Sequence, residues 1–486
     1  MTAVAQDLTH YRGYINGRWI DAAGHDTLAV ENPATAEPWA TVTVNTADEI
    51  EEAIATSFAA QKTWAALPNI ERAKYLHDIA RRILAEKDHL AKLLVKEQGK
   101  TLAEAGGEVA DTANYITYAA EAARRIQGEL LPSDSADVAL QIHRVPYGVT
   151  LGLCAYNYPL ALIGRKIGPA LVTGNTMIIK PHEATPVTAS EFCRIIDEAG
   201  LPPGVINLVT GDAQAGATMV ADPRVRMVTV TGSVRAGQHI MRGAAENLTA
   251  VSLELGGKAP FIVMDDADVD KAAEAAVIAR FANCGQVCIC SEVALVHEKV
   301  ADRFAAKVLE LAKGVTVGDP MTDVRMGPSV TAGGVNRMSE LIGSSVDAGA
   351  EVLLGGGRPT GNGFDRGNWF EPTVMRGIKA DHAVVKEEIF GPVLPIMSVG
   401  SLDEAIAQAN LSDVGLSAYL WTEDYRAHQH AIRHLEVGTI FINQGISGFV
   451  QGYHNGHKRS GLGGEDGVHG LEGYLQKRTV YLNHGR

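Results

Sequence analysis

The feature that most constrains the fold is an alternation of short β-rich runs with helical patterns, which occurs twice along the chain. The first series lies between residues 148 and 264, and its β-rich runs are GVTLGLC, TMIIKP, GVINLVT, RMVTVTG, AVSLELGG and PFIVM. The second series contains EVALVH (292–297), AEVLLGG (350–356), PVLPIMSV (392–399), LSAYLWT (416–422) and GTIFIN (438–443). Strands that alternate with helices form βαβ units and parallel, doubly wound sheets. The sequence therefore predicts two α/β units.

Other stretches show different patterns. From Asp48 to Arg125, apolar residues recur three and four positions apart, which predicts helices with Asp48 and Asn69 as N-caps, with Gly99 ending one of them. Residues 138–149 partly alternate apolar and polar side chains, as a strand of an exposed hairpin or sheet edge does. The Gly-rich segment LLGGGRPTGNGFDRGNWFEP matches neither common phosphate-loop pattern, so it is expected to be a surface loop.

Length and charge narrow the class of protein. A chain of 486 residues exceeds the size of a single core, so two or three domains are expected. With 57 acidic residues against 43 Lys and Arg, the formal net charge is −14, and neither nucleic acid nor a membrane is expected as a partner. No secretory leader pattern follows Met1, and the longest apolar stretch (148–164) is interrupted by Asn157 and Pro159. A cytoplasmic location is expected.

The cysteines suggest chemistry rather than a disulfide framework. There are five of them, an odd number, and in a reducing compartment they would be free thiols. Three lie within the short segment NCGQVCICSE (283–292). A zinc site would need a second Cys or His pair at ligand spacing, but His454 and His457 lie far away in sequence. The pattern favours a reactive thiol over a metal site, so no metal is expected.

Cys288 is the candidate nucleophile. It follows Gly285 and Gln286 at the end of a helical run and precedes a β-rich run, so it is expected on a turn whose side chains can face a cleft. Because the thiolate is the reactive form, such a cysteine needs local positive potential or a nearby base. On spacing alone, Cys284 and Cys290 are alternatives, and an isolated cysteine is more often a small buried apolar residue than a catalyst.

Five motifs taken in order resemble the aldehyde dehydrogenase superfamily over essentially the whole chain: YNYP, VTGS, ELGGK, GQVC and EEIFGPV. The resemblance implies an α/β fold with a Rossmann-type cofactor domain, an α/β catalytic domain and a β extension for oligomerisation. It makes Cys288 the nucleophile, with Cys284 packing a helix and Cys290 lying behind the reactive thiol. The implied ranges are 1–127 and 147–254 for the cofactor domain, 255–460 for the catalytic domain, and 128–146 with 461–486 for the oligomerisation arm and tail.

The motifs fit the oxidation of an aldehyde to an acid. A bare aldehyde has no sp³ C–H bond to release as hydride, and attack by the Cys288 thiolate supplies one. In the family, the side-chain amide of Asn157 and the backbone N–H of Cys288 stabilise the resulting oxyanion. The family's base is Glu254, which activates water against the thioester and argues against the CoA-acylating branch. Taken alone, Asn157 could be a turn residue before Pro159, and Glu254 could form a salt bridge at a rim.

The expected pyrophosphate site departs from the common dinucleotide fingerprint. The sequence contains no GxGxxG motif. Instead, GSVRAG places Gly232 and Gly237 around a strand-to-helix turn, the looser arrangement that the family uses near a helix N-terminus. By the same resemblance Ser233 belongs to this site.

The remaining expected cofactor contacts lie in two other motifs. Lys180 and Glu183 in TMIIKPHE match the residues that contact the ribose. A carboxylate there binds ribose hydroxyls and repels a 2′-phosphate, which favours NAD over NADP, although related enzymes with this Glu can accept both. Glu388 and Phe390 match the residues that hold the nicotinamide ribose and lie near the ring. Phe390 could also be an ordinary core residue.

Within the superfamily, the sequence is most similar to lactaldehyde/glycolaldehyde dehydrogenases. Arg165 and His454 match positions that contact the polar end of a small hydroxyaldehyde, although Arg165 could instead form a salt bridge on its helix. Two departures leave the substrate open: Gly448 stands where the group has an acidic contact residue, and the aromatic residue Tyr156, another expected substrate contact, stands before Asn157 where many relatives have Trp. An aldehyde that bears an acid, such as succinate semialdehyde, is therefore the alternative substrate.

The sequence also permits two other classes of function. An acyltransferase or thiol hydrolase could use Cys288 without a nucleotide, but it would not need the GSxxxG segment or Glu388. A catalytically silent relative could act as a binding protein, but such proteins usually lose the nucleophile or the base, and this chain keeps Cys288 and Glu254. The resemblance also implies a homodimer or homotetramer, in which TVYL of the C-terminal tail could add to a neighbouring subunit's sheet.

Overall fold

The structure, a computed structural model, describes residues 8–485. The predicted ranges 1–127 and 461–486 extend beyond it, so their outermost residues, 1–7 and 486, lie outside the described part of the chain. The strands are β1 (Thr9–Tyr11), β2 (Gly13–Ile15), β3 (Arg18–Ile20), β4 (Thr27–Asn32), β5 (Glu37–Thr43), β6 (Glu129–Leu131), β7 (Val138–Pro146), β8 (Val149–Leu153), β9 (Thr176–Lys180), β10 (Ile206–Leu208), β11 (Val225–Thr231), β12 (Ala250–Glu254), β13 (Pro260–Val263), β14 (Val293–His297), β15 (Glu351–Leu354), β16 (Thr373–Arg376), β17 (Val393–Val399), β18 (Val414–Gly415), β19 (Ser417–Trp421), β20 (Thr439–Ile442), β21 (His457–Lys458), β22 (Gly461–Leu462) and β23 (Leu475–Asn483).

The helices connect these strands and cover the sheets. They are α1 (Ala47–Ala66), α2 (Asn69–Ala85), α3 (Lys87–Gln98), α4 (Leu102–Glu121), α5 (Pro159–Val172), α6 (Val187–Glu198), α7 (Ala213–Ala221), α8 (Val234–Ala245), α9 (Val269–Phe281), α10 (Glu298–Lys313), α11 (Ala332–Asp347), α12 (Ala383–Lys386), α13 (Leu402–Asn410), α14 (Tyr425–His434) and α15 (Gly467–Glu472). Two short 3₁₀ turns span Ala122–Arg124 and Ala282–Gly285. Among residues 8–485, no helix is both long and apolar enough to span a membrane.

The first large sheet has a Rossmann-type core. Its strand order is β22-β12-β11-β8-β9-β10-β2-β3, and the five strands from β12 to β10 are parallel to one another. Counted along the chain from β8, these five run in the order 3-2-1-4-5, so the direction of strand addition reverses between β8 and β11. Ligands of doubly wound sheets bind outside the carboxyl ends of the strands at such a reversal.

The second large sheet is also mostly parallel. Its order is β15-β16-β17-β14-β13-β19-β20, and only the β15–β16 pair is antiparallel. Apolar clusters cover both faces of each large sheet. Strands of parallel sheets are buried on both sides, and for this reason their sequences are continuous apolar runs. The predicted α/β fold class, with a Rossmann-type unit, a second α/β unit and a β extension, is confirmed.

The β extension consists of three antiparallel strands in the order β23-β7-β6. The nine residues of β23 pair with β7 over its whole length, from Leu475 opposite Pro146 to Asn483 opposite Val138. The predicted strand around residue 138 is therefore present. In the described residues, β23 has no partner on its other side, and it carries the TVYL segment.

Two predicted helix starts were wrong by one or two residues. Thr46, not Asp48, caps α1, because its side chain accepts a hydrogen bond from the Glu49 amide while the Glu49 carboxylate accepts one from the Thr46 amide. Asn69 is the first residue of α2 rather than its cap. The predicted end of α3 is right, since Gly99 adopts φ +90°, a left-handed conformation that glycine reaches without steric cost.

Candidate active site

The candidate site lies where an edge of one large sheet meets an edge of the other. In the first sheet, β8, β9, β11 and β12 are parallel, so the residues at their carboxyl ends share one edge. Asn157, Lys180, Ser233 and Glu254 end or closely follow these strands. A hydrogen bond of 3.0 Å from Asn157 Nδ2 to the Gln286 carbonyl oxygen ties this edge to the nucleophile segment.

The second sheet contributes the amino ends of three adjacent strands, β13, β14 and β17. Lys258 shortly precedes β13, Glu292 directly precedes β14, and Phe390 shortly precedes β17. Cys288 lies on the turn that leads into β14. The parallel arrangement of these strands therefore gathers three separated segments into one region.

The turn before Cys288 has an unusual backbone. Asn283, Cys284 and Gly285 have φ values of 49°, 55° and 70°, which places three successive residues in the left-handed region. Asn and Gly tolerate this conformation, whereas Cys284 is strained there. A Cβ at Gly285 would overlap the backbone of Gly391, so this position requires glycine. The turn thus places Cys288 by a backbone path that few other residue types can follow.

Cys288 differs from its two neighbouring cysteines in accessibility. It is half-buried, whereas Cys284 and Cys290 are buried. Cys284 belongs to the apolar core of the second α/β unit, as predicted for a packing residue. The Cys290 thiol lies 3.5 Å from the Gly285 carbonyl oxygen and 3.8 Å from Glu292 Oε1, behind the nucleophile turn. Of the three, Cys288 is the residue with part of its surface exposed.

The electrostatic environment keeps the Cys288 thiol protonated. Burial raises its pKa to about 12, the Arg165 guanidinium pulls it down, and the carboxyl groups of Glu254 and Glu388 raise it further. Because the thiolate is the nucleophile, a positive charge or a base must help the Cys288 thiol to lose its proton before it can react.

Asn157 is buried and held by a charged pair beneath it. Its backbone oxygen accepts hydrogen bonds from Lys100 Nζ at 2.9 Å and Asn283 Nδ2 at 3.0 Å. The Lys100 ammonium also forms a fully buried ion pair of 2.6 Å with Glu108. The Asn157 amide nitrogen makes one hydrogen bond, to Gln286, and has a second hydrogen to donate. This geometry gives Asn157 a fixed backbone and one free donor.

Glu254 ends β12 and is buried. Neither of its oxygens has a hydrogen-bond partner within residues 8–485. Burial and the nearby Glu465 carboxylate raise its pKa well above the ordinary value. Among residues 8–485, His454 is the one basic side chain at ion-pair distance from Glu254, with its Nε2 3.4 Å from Glu254 Oε2. Burial and the Arg165 guanidinium lower the pKa of His454 to about 3, so the imidazole is neutral.

Arg165, on α5, is held in a dense ion-pair cluster. Its Nε and Nη2 donate to the two oxygens of Asp466 at 3.0 and 2.5 Å, its guanidinium lies 5.2 Å from the centre of the Tyr115 ring, and Nε is 3.5 Å from Glu465. The neighbouring Lys166 pairs with Glu465. Burial alone would lower the pKa of Arg165, but Asp466 and Glu465 outweigh it and raise it well above the usual value. Arg165 therefore forms a salt bridge, which was one of its two interpretations, and its contact with a substrate stays a prediction.

The loop after β11 forms the expected pyrophosphate region. Ser233 caps α8, accepting a hydrogen bond of 3.2 Å from the Ala236 amide. A Cβ at Gly232 would make ordinary van der Waals contact at 3.8 Å with Ala236 and Val230, so packing does not require glycine there. At Gly237 packing does require it: a Cβ there would come 2.5 Å from Leu255, so this glycine lets α8 pack closely on the end of β12.

The other predicted cofactor residues lie around a small aromatic group. Lys180 is buried at the end of β9, and Glu183 is exposed three residues later. The Tyr156 ring lies 5.1 Å from the His182 ring and 6.0 Å, edge-on, from the Phe390 ring. Tyr156 was predicted as a substrate contact, and its neighbours are residues of the expected cofactor side.

Glu388 approaches the ELGGK turn closely. Its Oε1 accepts a hydrogen bond of 2.9 Å from the Gly257 amide, and a Cβ at Gly256 would overlap its carboxylate. Burial and the Glu292 carboxylate raise the pKa of Glu388 to about 7. Gly256 is therefore needed for the carboxylate to reach its place, whereas a Cβ at Gly257 would overlap the Cys288 carbonyl oxygen.

Sequence reasoning missed a buried ion cluster that supports this loop. Glu292 accepts hydrogen bonds of 2.8 Å from both Lys258 Nζ and Arg280 Nη1, and of 2.8 and 3.1 Å from the amides of Ile389 and Phe390. Burial opposes the charge of Glu292, but the two cations outweigh it and lower its pKa to about 2. One signal was available: Lys258 and Glu292 stand beside the apolar runs PFIVM and VALVH, where unpaired charges would be unstable.

Comparisons with known proteins agree with this geometry. The family model described as "Aldehyde dehydrogenase family" matches residues 19–480. The 3,6-anhydro-alpha-L-galactose dehydrogenase of Vibrio sp. (strain EJY3) is 42% identical over 98% of this chain and 100% of its own length. The lactaldehyde dehydrogenase of Escherichia coli (strain K12) is 41% identical over 96% and 98%. The succinate-semialdehyde dehydrogenase [NADP(+)] of the same organism is 39% identical over 98% of each.

Solved structures show the same fold. A structure described as 3,6-anhydro-L-galactose dehydrogenase in complex with NAP superposes with a TM-score of 0.96, at 45% identity, over 98% of this chain and 100% of the other. The sequence and the fold agree over nearly the full length, which confirms the resemblance seen in the sequence. The chain belongs to the aldehyde dehydrogenase family.

Proposed function

We propose that the protein oxidises a small polar aldehyde of the lactaldehyde or glycolaldehyde type to its carboxylic acid, with NAD as the preferred cofactor. One observation carries this proposal: the half-buried Cys288, a free Asn157 amide hydrogen and a buried Glu254 carboxyl lie at the same meeting of two sheet edges. A polar wall that includes Arg165 and His454 adjoins them, which suits a substrate with a hydroxyl group.

The residues present fit a nicotinamide cofactor, which the family uses. Gly232 and Ser233 lie on the loop after β11, at the strand-order reversal where doubly wound sheets bind ligands, and Gly256 makes room for the Glu388 carboxylate. Glu183 supports the preference for NAD, because a carboxylate beside the ribose repels a 2′-phosphate. When bound, the cofactor supplies an acceptor for the hydride of the substrate carbon. Lys180, Glu183, Ser233 and Glu388 would hold it.

The first chemical step is attack by Cys288 on the aldehyde carbon. The sulfur–carbon bond forms, the carbonyl π bond breaks, and the thiol proton passes to water before or during attack. The negative charge that develops on the oxygen is stabilised by the free Asn157 amide hydrogen and the Cys288 backbone N–H. Removal of one such donor typically lowers the rate on the order of a hundred- to thousandfold.

The second step is hydrolysis of the thioester that remains on Cys288 after oxidation. Glu254 removes a proton from water as the oxygen attacks the acyl carbon, and the sulfur leaves as the acid forms. A carboxyl with a raised pKa suits this work, because a stronger base removes the proton more readily. The neutral His454, 3.4 Å away, adds no charge that would return the Glu254 pKa to its ordinary value.

The test compares two cysteine variants with each other. Cys288→Ala should abolish aldehyde-dependent formation of NADH while leaving NAD binding, measured by calorimetry, unchanged. Cys290→Ala is the matched control, since its thiol lies behind the turn, and it should keep most activity. Loss of activity in the Cys290 variant with retention in the Cys288 variant would refute the assignment. A wild-type protein that reduces neither NAD nor NADP with any aldehyde would refute the dehydrogenase function itself.

A semialdehyde that bears an acid is the second candidate substrate. Two observations support it: a relative at 39% identity is named a succinate-semialdehyde dehydrogenase, and Gly448 supplies no acidic contact residue. Lactaldehyde, glycolaldehyde and succinate semialdehyde assayed side by side would separate the two candidates by kcat/KM.

We also propose the domain ranges and the assembly inferred from the sequence. The cofactor domain would comprise 1–127 and 147–254, and the catalytic domain 255–460. The three-stranded extension and its tail would mediate a homodimer or homotetramer, since β23 is long and lies at a sheet edge. Mass measurement in solution, by light scattering, would give the number of subunits, and a monomer at micromolar concentration would contradict the proposal.

A further inference from the structure

Arg165 cannot serve as a free receptor for an anion, because a carboxylate of the protein already occupies it. Asp466 engages both Nε and Nη2 of the guanidinium, in the side-on geometry by which an arginine binds a substrate carboxylate. Both side chains of the pair are about nine-tenths buried, with 12% and 10% of their surfaces exposed. The remaining nitrogen, Nη1, makes no hydrogen bond to the part of the chain that the structure describes.

The backbone of Asp466 adopts an unfavourable conformation. Its φ of 65° and ψ of 168° lie in a region that essentially only glycine occupies. Such a conformation persists only where the surroundings enforce it, and here the Arg165 side chain is the partner that fixes the carboxylate. A glycine at this position would relieve the strain, so the presence of Asp indicates that the carboxylate itself is needed.

The charged side chains around Arg165 balance one another without a substrate. Arg165 is paired with Asp466 and lies 3.5 Å from Glu465, which also pairs with Lys166, so both cations are already engaged by carboxylates of the protein. Glu254 adds a third carboxyl group, and burial and the Glu465 carboxylate raise its pKa. A substrate carboxylate would therefore find both of these cations paired, whereas a substrate hydroxyl could still accept a hydrogen bond from Arg165 Nη1.

We propose that Asp466 determines the substrate class, by occupying Arg165 so that the site accepts hydroxyaldehydes and excludes aldehydes that end in a carboxylate. It provides the acidic group missing at Gly448, from a different part of the chain. This inference rests on the proposed aldehyde oxidation and narrows its substrate. Asp466 acts as a specificity residue and takes no part in the chemical steps at Cys288.

The test uses two substitutions that remove the carboxylate in different ways. Asp466→Asn keeps the shape of the side chain, and Asp466→Gly also removes the backbone strain, so at least one of them should fold normally. Asp222→Asn is the matched control, because Asp222 also pairs with an arginine, Arg224 at 2.6 Å, but on another face. For each protein, kcat/KM is measured with glycolaldehyde and with succinate semialdehyde.

The wild type should prefer glycolaldehyde, and the ratio of kcat/KM for succinate semialdehyde to that for glycolaldehyde should rise at least about tenfold in both Asp466 variants, since a buried guanidinium released from its partner attracts an anion strongly. The control should keep the wild-type ratio. An unchanged ratio in both folded variants, or a wild type that prefers succinate semialdehyde, would overturn the inference while leaving aldehyde oxidation intact.

A second measurement needs no turnover and separates this inference from the proposed function. Calorimetric titration with succinate, an unreactive dianion, should detect binding at least about tenfold tighter in the Asp466 variants than in the wild type. If no aldehyde is oxidised by the wild type, the proposed function fails, and the succinate titration still decides whether Asp466 excludes anions. Equal binding to all the proteins would overturn the inference.

Discussion

Replacing Glu292 by Gln should destabilise the protein far more than a single surface change, because Glu292 is the one carboxylate that balances Lys258 and Arg280 in the buried cluster. All three side chains are at most 3% exposed. Breaking a buried pair by neutralising one partner typically lowers the free energy of unfolding by about 3–5 kcal/mol. The lowered pKa of Glu292, about 2 in the folded protein, has the sign expected of a carboxylate whose charge the two cations stabilise. We therefore expect a loss of about 3–5 kcal/mol.

Urea unfolding followed by tryptophan fluorescence at pH 7 would measure this loss. The control is Glu351→Gln, which removes an exposed pair with Arg376 and should change the free energy of unfolding by less than about 1 kcal/mol. A Glu292→Gln protein within 1 kcal/mol of the wild type would refute the reasoning.

The dependence on pH gives the same prediction a second check. Because folding lowers the pKa of Glu292, its stabilising contribution is complete above the unfolded value of about 4.5 and is lost as the pH falls towards about 2. The difference between wild type and Glu292→Gln should thus be constant from pH 8 to 5 and shrink below that. The variant should also raise KM for NAD, since Gln has one acceptor oxygen where Glu has two and cannot keep all the hydrogen bonds from Lys258, Arg280 and the amides of the 389–390 segment.

Three further predictions concern catalysis and the cofactor. Glu254→Gln should allow one rapid burst of NADH and then stall at the thioester, and unchanged steady turnover in a stopped-flow assay would contradict its role as the base. In the wild type, the steady rate should rise with pH up to a higher pH than an ordinary glutamate would give, because the raised pKa keeps Glu254 protonated until then; a pH–rate profile that is flat from pH 5 to 9 would contradict this. Glu183→Gln should raise kcat/KM with NADP relative to NAD by about tenfold, since it removes the repulsion of the 2′-phosphate, and an unchanged ratio would argue against that contact.

Local patterns predicted the elements and the motifs well, because each depends on residues close together in sequence. The β-rich runs became strands of two parallel sheets, and Gly99 ended α3 as predicted. The helix starts were less accurate, since both Asp48 and Thr46 are suitable caps and the choice depends on the reciprocal bond with Glu49. Roles for Cys288 and Glu254 could be predicted because the motifs around them are short and contiguous, and these roles stay predictions.

The substrate wall could not be predicted in this way. The contact of Arg165 with Asp466 joins positions 301 residues apart, and no local pattern reports which partner a buried arginine will find. The positive φ of Asp466 is equally hidden, because the residue type argues against it. For the same reason, only the folded structure shows whether Arg165 forms a salt bridge.

The short strand β22 has a consequence for how the protein matures. It pairs antiparallel with β12, setting Gly461 opposite Glu254 and Leu462 opposite Leu253, across more than two hundred residues of intervening chain. Such long-range pairings form late, because so much chain must be ordered first. During synthesis, the first α/β unit can collapse before the ribosome has produced the strand that completes its edge. The nascent polypeptide should therefore remain inert until almost its last residues emerge.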